Sequence, residues 1–179
     1  MTDGVVHAAG TGAASRRSRT GTAALRAVLM PLYELSVLLP NAAVAEVIRY
    51  QDAHPMAGAP PWWLGKLPWR GIYVPLISLE AFLSAPVPPP EARRRIAVLN
   101  TLNGNPALPF MAIVGAGTPQ LQVVSAEMIS PSGQPSRPGG LLCSLELNGR
   151  PTHVPDLDAL EAAALEVEGK GGARPSSRR

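Results

Sequence analysis

A single cysteine in 179 residues, Cys143, excludes an internal disulfide framework. It lies in the apolar run LLCSLEL and reads as a core thiol in a reducing compartment, hence a cytoplasmic protein. Aromatic residues make up only 4% of the chain, so the core must be built from Leu, Val, Ile and Ala, which the 46% hydrophobic content supplies. Ligand patterns are also missing. The three histidines, His7, His54 and His153, have no partner at metal-binding spacing, so no metal is expected. GAGTP at 115–119 lacks the Lys-Ser/Thr of a phosphate loop and leads into a strand, so it reads as a turn. No paired carboxylates and no nucleophile–base arrangement stand out. The expectation is a protein that is not an enzyme and carries no cofactor. Long apolar runs are absent too: Pro or charge interrupts each within about ten residues, against about 20 for a membrane span. SRRSRT ahead of AALRAVLMPLYEL has the outline of a twin-arginine signal, but Arg26 and Pro31 break its apolar part.

Positive charge is scarce where a nucleic-acid-binding surface would need it. The chain is basic, with a pI near 9.5 and a net charge of +3. Residues 1–24 and 169–179 hold seven positive charges and one negative, which leaves residues 25–168 at −3. The basicity belongs to the ends, read here as a disordered lead (1–24) and a disordered basic tail (169–179). A module binding nucleic acid or another polyanion through those ends is the alternative function. No nucleic-acid partner is expected of the folded part, which lacks a basic face. The run Arg93-Arg94-Arg95 reads as a charge gate ahead of an apolar strand.

Proline and glycine are plentiful, at 20 and 17, and they cut the chain into short elements. Strands are predicted at 27–32 and 35–40, then at 45–50, 66–69 and 72–78, with a brief helical turn at 79–83. The Pro-rich stretch 84–92 is a crossing between halves. Beyond it, strands are predicted at 95–102, 106–114, 120–124, 141–147 and 151–154. Asn103-Gly104 and Asn148-Gly149 mark hairpins. PDLDALEAAALEV, 155–167, is the one convincing helix, with Asp156 and Asp158 at its start and Leu157, Leu160, Ala164 and Leu165 as its apolar stripe. The predicted fold is mainly β. It comprises a first small barrel at about 25–83, a second at about 93–155, and a C-terminal helix at about 156–168.

All three tryptophans fall in Ala59–Leu83, APPWWLGKLPWRGIYVPLISLEAFL. Pro60-Pro61 opens a turn carrying Trp62 and Trp63. Gly65 and Gly71 are assigned to structural turns, with Arg70-Gly71 reversing a strand. Only one of two adjacent residues on an extended chain faces inward, so Trp62 and Trp69 are assigned to the core. Trp63 and Arg70 are assigned to a partner-binding surface, because Trp and Arg are enriched in interface hot spots. In a strand, Val44 and Glu46 point the same way.

The stretch Leu32–Leu83 resembles the CheW family of chemotaxis coupling proteins. The residues that carry the resemblance are Val44-Ala45-Glu46-Val47, Ala59-Pro60-Pro61-Trp62, Gly65, Arg70-Gly71 and Pro75-Leu76-Ile77-Ser78-Leu79. Three departures stand out. Pro68-Trp69-Arg70-Gly71 replaces Asn-Leu-Arg-Gly. Ser78 replaces the Asp of the Pro-Ile-Ile-Asp-Leu run, and Val114-Gly115-Ala116-Gly117 replaces an acidic turn. The divergence looks more like the proteins of type IV pilus (twitching) chemosensory systems than the flagellar adaptor. The resemblance implies two intertwined five-stranded SH3-like barrels and a non-catalytic cytoplasmic adaptor. Its implied partners are a chemoreceptor cytoplasmic tip and the regulatory domain of a CheA-type histidine kinase, with membrane contact only through the receptor. By motif, Val44, Glu46 and Arg70 match the receptor-facing surface.

Overall fold

The computed structural model describes residues 24–86, 94–132 and 139–171. Residues 1–23 of the expected lead and 172–179 of the expected tail lie outside the described residues. The strands are β1 (Leu25–Pro31), β2 (Ser36–Pro40), β3 (Val44–Arg49), β4 (Trp63–Trp69), β5 (Ile72–Ile77), β6 (Arg95–Asn100), β7 (Phe110–Gly115), β8 (Gln120–Val124), β9 (Ile129–Pro131), β10 (Leu141–Leu147) and β11 (Arg150–Pro155). Helix α1 (Leu79–Phe82) follows β5, and α2 (Leu157–Gly171) closes the described chain. The mainly β expectation with a C-terminal helix holds.

The strands sort into two sheets, ordered β8-β1-β2-β11-β10-β9 and β3-β6-β7-β5-β4. This corrects the expected division into barrels at 25–83 and 93–155. Strands β1 and β2 leave the first half to join β8–β11, while β6 and β7 leave the second half to join β3–β5. One sheet has six strands rather than five, because the three-residue β9 adds an edge to β10. Neighbouring strands are antiparallel except at two junctions, β2 with β11 and β5 with β7. Those parallel pairs stitch together pieces that are distant in sequence.

Burial explains why the middle strands read as continuous apolar runs. In β6, Ile96 and Val98 enter a core inside the five-stranded sheet, while Ala97 and Leu99 enter a larger core between the sheets. Met111 and Ile113 of β7 face the larger core, and Ala112 and Val114 the smaller. A strand covered on both faces has no polar side to alternate with. Met30, Val37 and Leu39 from the other sheet fill the large core, as do Leu157, Leu160, Ala164 and Val167 of α2. The helix spacing of three, four and three residues keeps this stripe on one face. Inside the six-stranded sheet the core is smaller, built on Ala27, Val124, Leu145 and Leu147.

Both helices are capped by side chains. The Ser78 hydroxyl accepts from the Ala81 N–H at 3.2 Å, so Ser does the capping work an Asp would do. Asp156 precedes α2 and accepts from the Ala159 N–H at 2.9 Å, while Asp158 in the first turn accepts from Asn103. The helix runs to Gly171, beyond the expected end at 168, and so takes in the start of the expected tail. Glu168 pairs with Lys66 of β4, and buried Glu161 accepts from the Leu102 N–H at 3.1 Å. These contacts fasten α2 to the five-stranded sheet and the loop after β6. The segment LLCSLEL is β10, but the register slips between Leu141 and Cys143, and Cys143 is exposed rather than a core thiol. Among the described residues no helix is long and apolar enough to cross a membrane.

Candidate functional site

Trp69, Arg70, Gly71 and Ile72 form a two-residue hairpin between β4 and β5, with Trp69 opposite Ile72. Both central residues have positive φ, 47° at Arg70 and 80° at Gly71. A primed turn demands this, because its twist matches that of the flanking strands. Gly71 adopts it at no steric penalty, whereas Arg70 needs neighbours to hold it.

The neighbours are Glu46 and Trp69. Glu46 Oε2 accepts from Arg70 Nε at 3.1 Å, lies 3.0 Å from Arg70 Nη2, and accepts from Trp69 Nε1 at 2.9 Å. The Arg70 guanidinium sits 5.1 Å from the Trp69 ring centroid. Trp69 packs in turn edge-on against Phe110, with ring centroids 4.9 Å apart. Strands β3 and β4 are opposite edges of their sheet, so a bond from Glu46 to Trp69 means that the sheet curls until its edges meet. Gln51 adds a bridge to the Pro68 carbonyl at 3.1 Å across the same seam. The Arg70 side chain is 68% exposed and that of Glu46 35%. The site thus presents an ion pair to solvent from a rigid turn.

Of the predicted site residues, Glu46 and Arg70 come together. Val44 does not share their face. A register slip between Val44 and Glu46 sets Val44 opposite Leu99 and Glu46 opposite Val98. Leu99 faces the core between the sheets and Val98 the core inside the five-stranded sheet, so the bulge turns Val44 and Glu46 to opposite faces. Val44 is half-buried against the larger core.

Trp63 is a correction. It is 5% exposed and lies in the large core, not on a surface. The rule that one of two adjacent tryptophans faces inward holds, but β4 begins at Trp63 and turns that ring in. Trp62 is the half-buried one, edge-on to Phe82 at 5.3 Å, and it lines a groove of about 530 Å³ with Met56, Pro60 and Val167. Gly65 is a second correction, because it lies inside β4 rather than in a turn. Its neighbour Lys66 exchanges two backbone hydrogen bonds with His54, each 2.8 Å, which brings the His54 backbone against Gly65. A Cβ on Gly65 would stand 2.3 Å from the His54 carbonyl oxygen. Gly71 is a turn residue as expected.

Sequence reasoning places Trp69 in the core and misses its part in the site. The ring does pack on the inner core, yet its N–H reaches the surface carboxylate. The signal was its place beside Arg70 at the mouth of a two-residue turn, where side chains of the hairpin gather. Among the described residues, no group of three or more His, Cys, Asp or Glu is placed to hold a metal ion. What the cluster offers is an oriented donor and acceptor on a stiff turn, which suits recognition.

Comparison with known proteins agrees with this architecture. A family model described as "CheW-like domain" matches residues 26–164. No curated protein matches the sequence. Among solved structures, the scaffolding protein TtCheW from Thermoanaerobacter tengcongensis superposes with a TM-score of 0.64. The match spans 75% of this chain and 90% of that one at 15% identity, a likeness of fold. The two sheets correspond to the paired SH3-like barrels of that fold.

Proposed function

Because the chain belongs to the CheW-like domain family, we propose that it is a non-enzymatic adaptor of a chemosensory array. In this reading it works in the cytoplasm and couples the cytoplasmic tip of a methyl-accepting chemoreceptor to the regulatory domain of a CheA-type histidine kinase. The output controls flagella or type IV pili; the departures from the flagellar pattern favour pili. The observation that carries the proposal is the solvent-facing Glu46–Arg70 pair, held on a turn with positive φ at Arg70. A strained backbone that places a charge outward at a seam is more than stability needs, and such strain concentrates at functional positions. Two stiff sheets sharing a core suit an adaptor, since a load on one barrel is passed to the other through packed side chains.

The test is a binding assay with purified receptor tip and kinase regulatory domain, with Arg70→Glu beside the wild type. Reversing a charge at an interface places it against the partner's complementary group, so tip binding should weaken about tenfold or more. Thermal unfolding should stay near wild type, because an exposed ion pair is worth ~0–1 kcal/mol. Wild-type binding by Arg70→Glu means that this face does not touch the receptor. Unfolding of the variant means that Arg70 serves the fold.

A further inference from the structure

We propose that Trp69 is the positioning residue of this surface: its indole N–H fixes the Glu46 carboxylate so that the ion pair meets a partner in one orientation. The inference rests on the reading of the Glu46–Arg70 face as the receptor contact. Trp69 itself is half-buried and acts through its neighbours.

Two hydrogen-bond donors, Trp69 Nε1 and Arg70 Nε, converge on one oxygen of Glu46, Oε2, with Arg70 Nη2 at ion-pair distance from the same oxygen. Among the described residues none reaches Oε1, which is left as an acceptor beside a guanidinium that is mostly exposed. Glutamate and arginine have several rotatable bonds each, and an exposed pair alone holds neither in place. The indole supplies the missing constraint. Its ring is wedged on Phe110 at the lip of the inner core, so its N–H points from a rigid base. The same ring covers one side of the Arg70 guanidinium at 5.1 Å. A carboxylate that accepts from a fixed indole, under an arginine stacked on that indole, has lost its alternatives before a partner arrives. Binding to such a preorganised pair avoids the ordering cost a mobile pair would impose.

The experiment uses the full chain and three variants, Trp69→Phe, Glu46→Ala and the double substitution. Phenylalanine keeps an aromatic ring against Phe110 and under Arg70 but removes the donor. Receptor-tip binding should fall about fivefold to tenfold in Trp69→Phe, the size of the ordering cost that a freed Glu46 side chain adds on binding. In the Glu46→Ala background the same substitution should add nothing, because its acceptor is gone. The indole N–H proton resonance of Trp69, assigned in the wild-type protein through the contact of its ring with Phe110, should shift upfield in Glu46→Ala. That readout is independent of receptor binding and of how well Trp69→Phe folds. An indole resonance indifferent to Glu46→Ala overturns the proposal, as does equal weakening by Trp69→Phe with and without Glu46. If Trp69→Phe binds like wild type while Arg70→Glu does not, the positioning role is wrong and the face stands. If Arg70→Glu also binds like wild type, the reading of the face has failed.

Discussion

Two glycines of the Trp-rich stretch show how differently a missing side chain can be used. At Gly71 a Cβ would meet nothing within 4 Å, so only the backbone angle of +80° resists substitution. Gly71→Ala is expected to lose about 1 kcal/mol of stability, the left-handed penalty of an L-residue. At Gly65 a Cβ would lie 2.3 Å from the His54 carbonyl oxygen and 2.7 Å from its carbon, both backbone atoms tied by the pairing of His54 with Lys66. Gly65→Ala must break that pairing, and a loss of about 3 kcal/mol or more is expected. Urea unfolding of the two variants checks the order, and equal losses would refute it. Gly71 was legible because Arg-Gly between two apolar runs is local turn chemistry. Gly65 was legible as a required glycine but not for its reason, since the atom that requires it belongs to a loop eleven positions earlier. Trp63 was misassigned for a related cause: which of two adjacent rings turns inward depends on where β4 starts, and neither ring records that.

Helix α2 is the element whose role is largest for its length. Its stripe closes the core between the sheets, and its polar residues Asp158, Glu161 and Glu168 fasten it to Asn103, Leu102 and Lys66. Packing should outweigh the fastenings. Leu160 is fully buried, and Leu160→Ala is expected to lose about 2–5 kcal/mol through transfer and cavity terms. Glu168→Gln breaks a pair whose side chains are 34% and 24% exposed, so its loss should stay near ~1 kcal/mol. Denaturant midpoints of the two variants test this ranking, which a larger loss from Glu168→Gln would reverse. The helix face was legible from the spacing of Leu157, Leu160 and Ala164. Its end was not, because Gly169 reads as a stop signal, whereas the grip of β4 on Glu168 carries the helix a turn further.

At the scale of the whole molecule, strands and hairpins were legible and their assembly was not. Local pairs such as β10–β11 announce themselves through Asn148-Gly149, but nothing local says that β2 lies beside β11 or β5 beside β7. Each half contributes strands to both sheets, so neither half holds a complete one. Fragments 25–86 and 94–171 are therefore expected to be unstructured alone, and the intact chain to melt in one cooperative transition by both tryptophan fluorescence and far-UV circular dichroism. Two separate transitions, or a folded fragment, would contradict the shared core. The same stitching bears on time as well as stability. Val37 finds its neighbour only when His153 has been made, so during synthesis β2 waits with an unpaired edge while most of the chain is still to come. Non-local pairings of this kind slow folding and leave apolar edges open to other chains. A nascent chain stalled before β11 would hold every strand of the five-stranded sheet but lack the strand that joins β2 to β10 in the other, a natural client for chaperones.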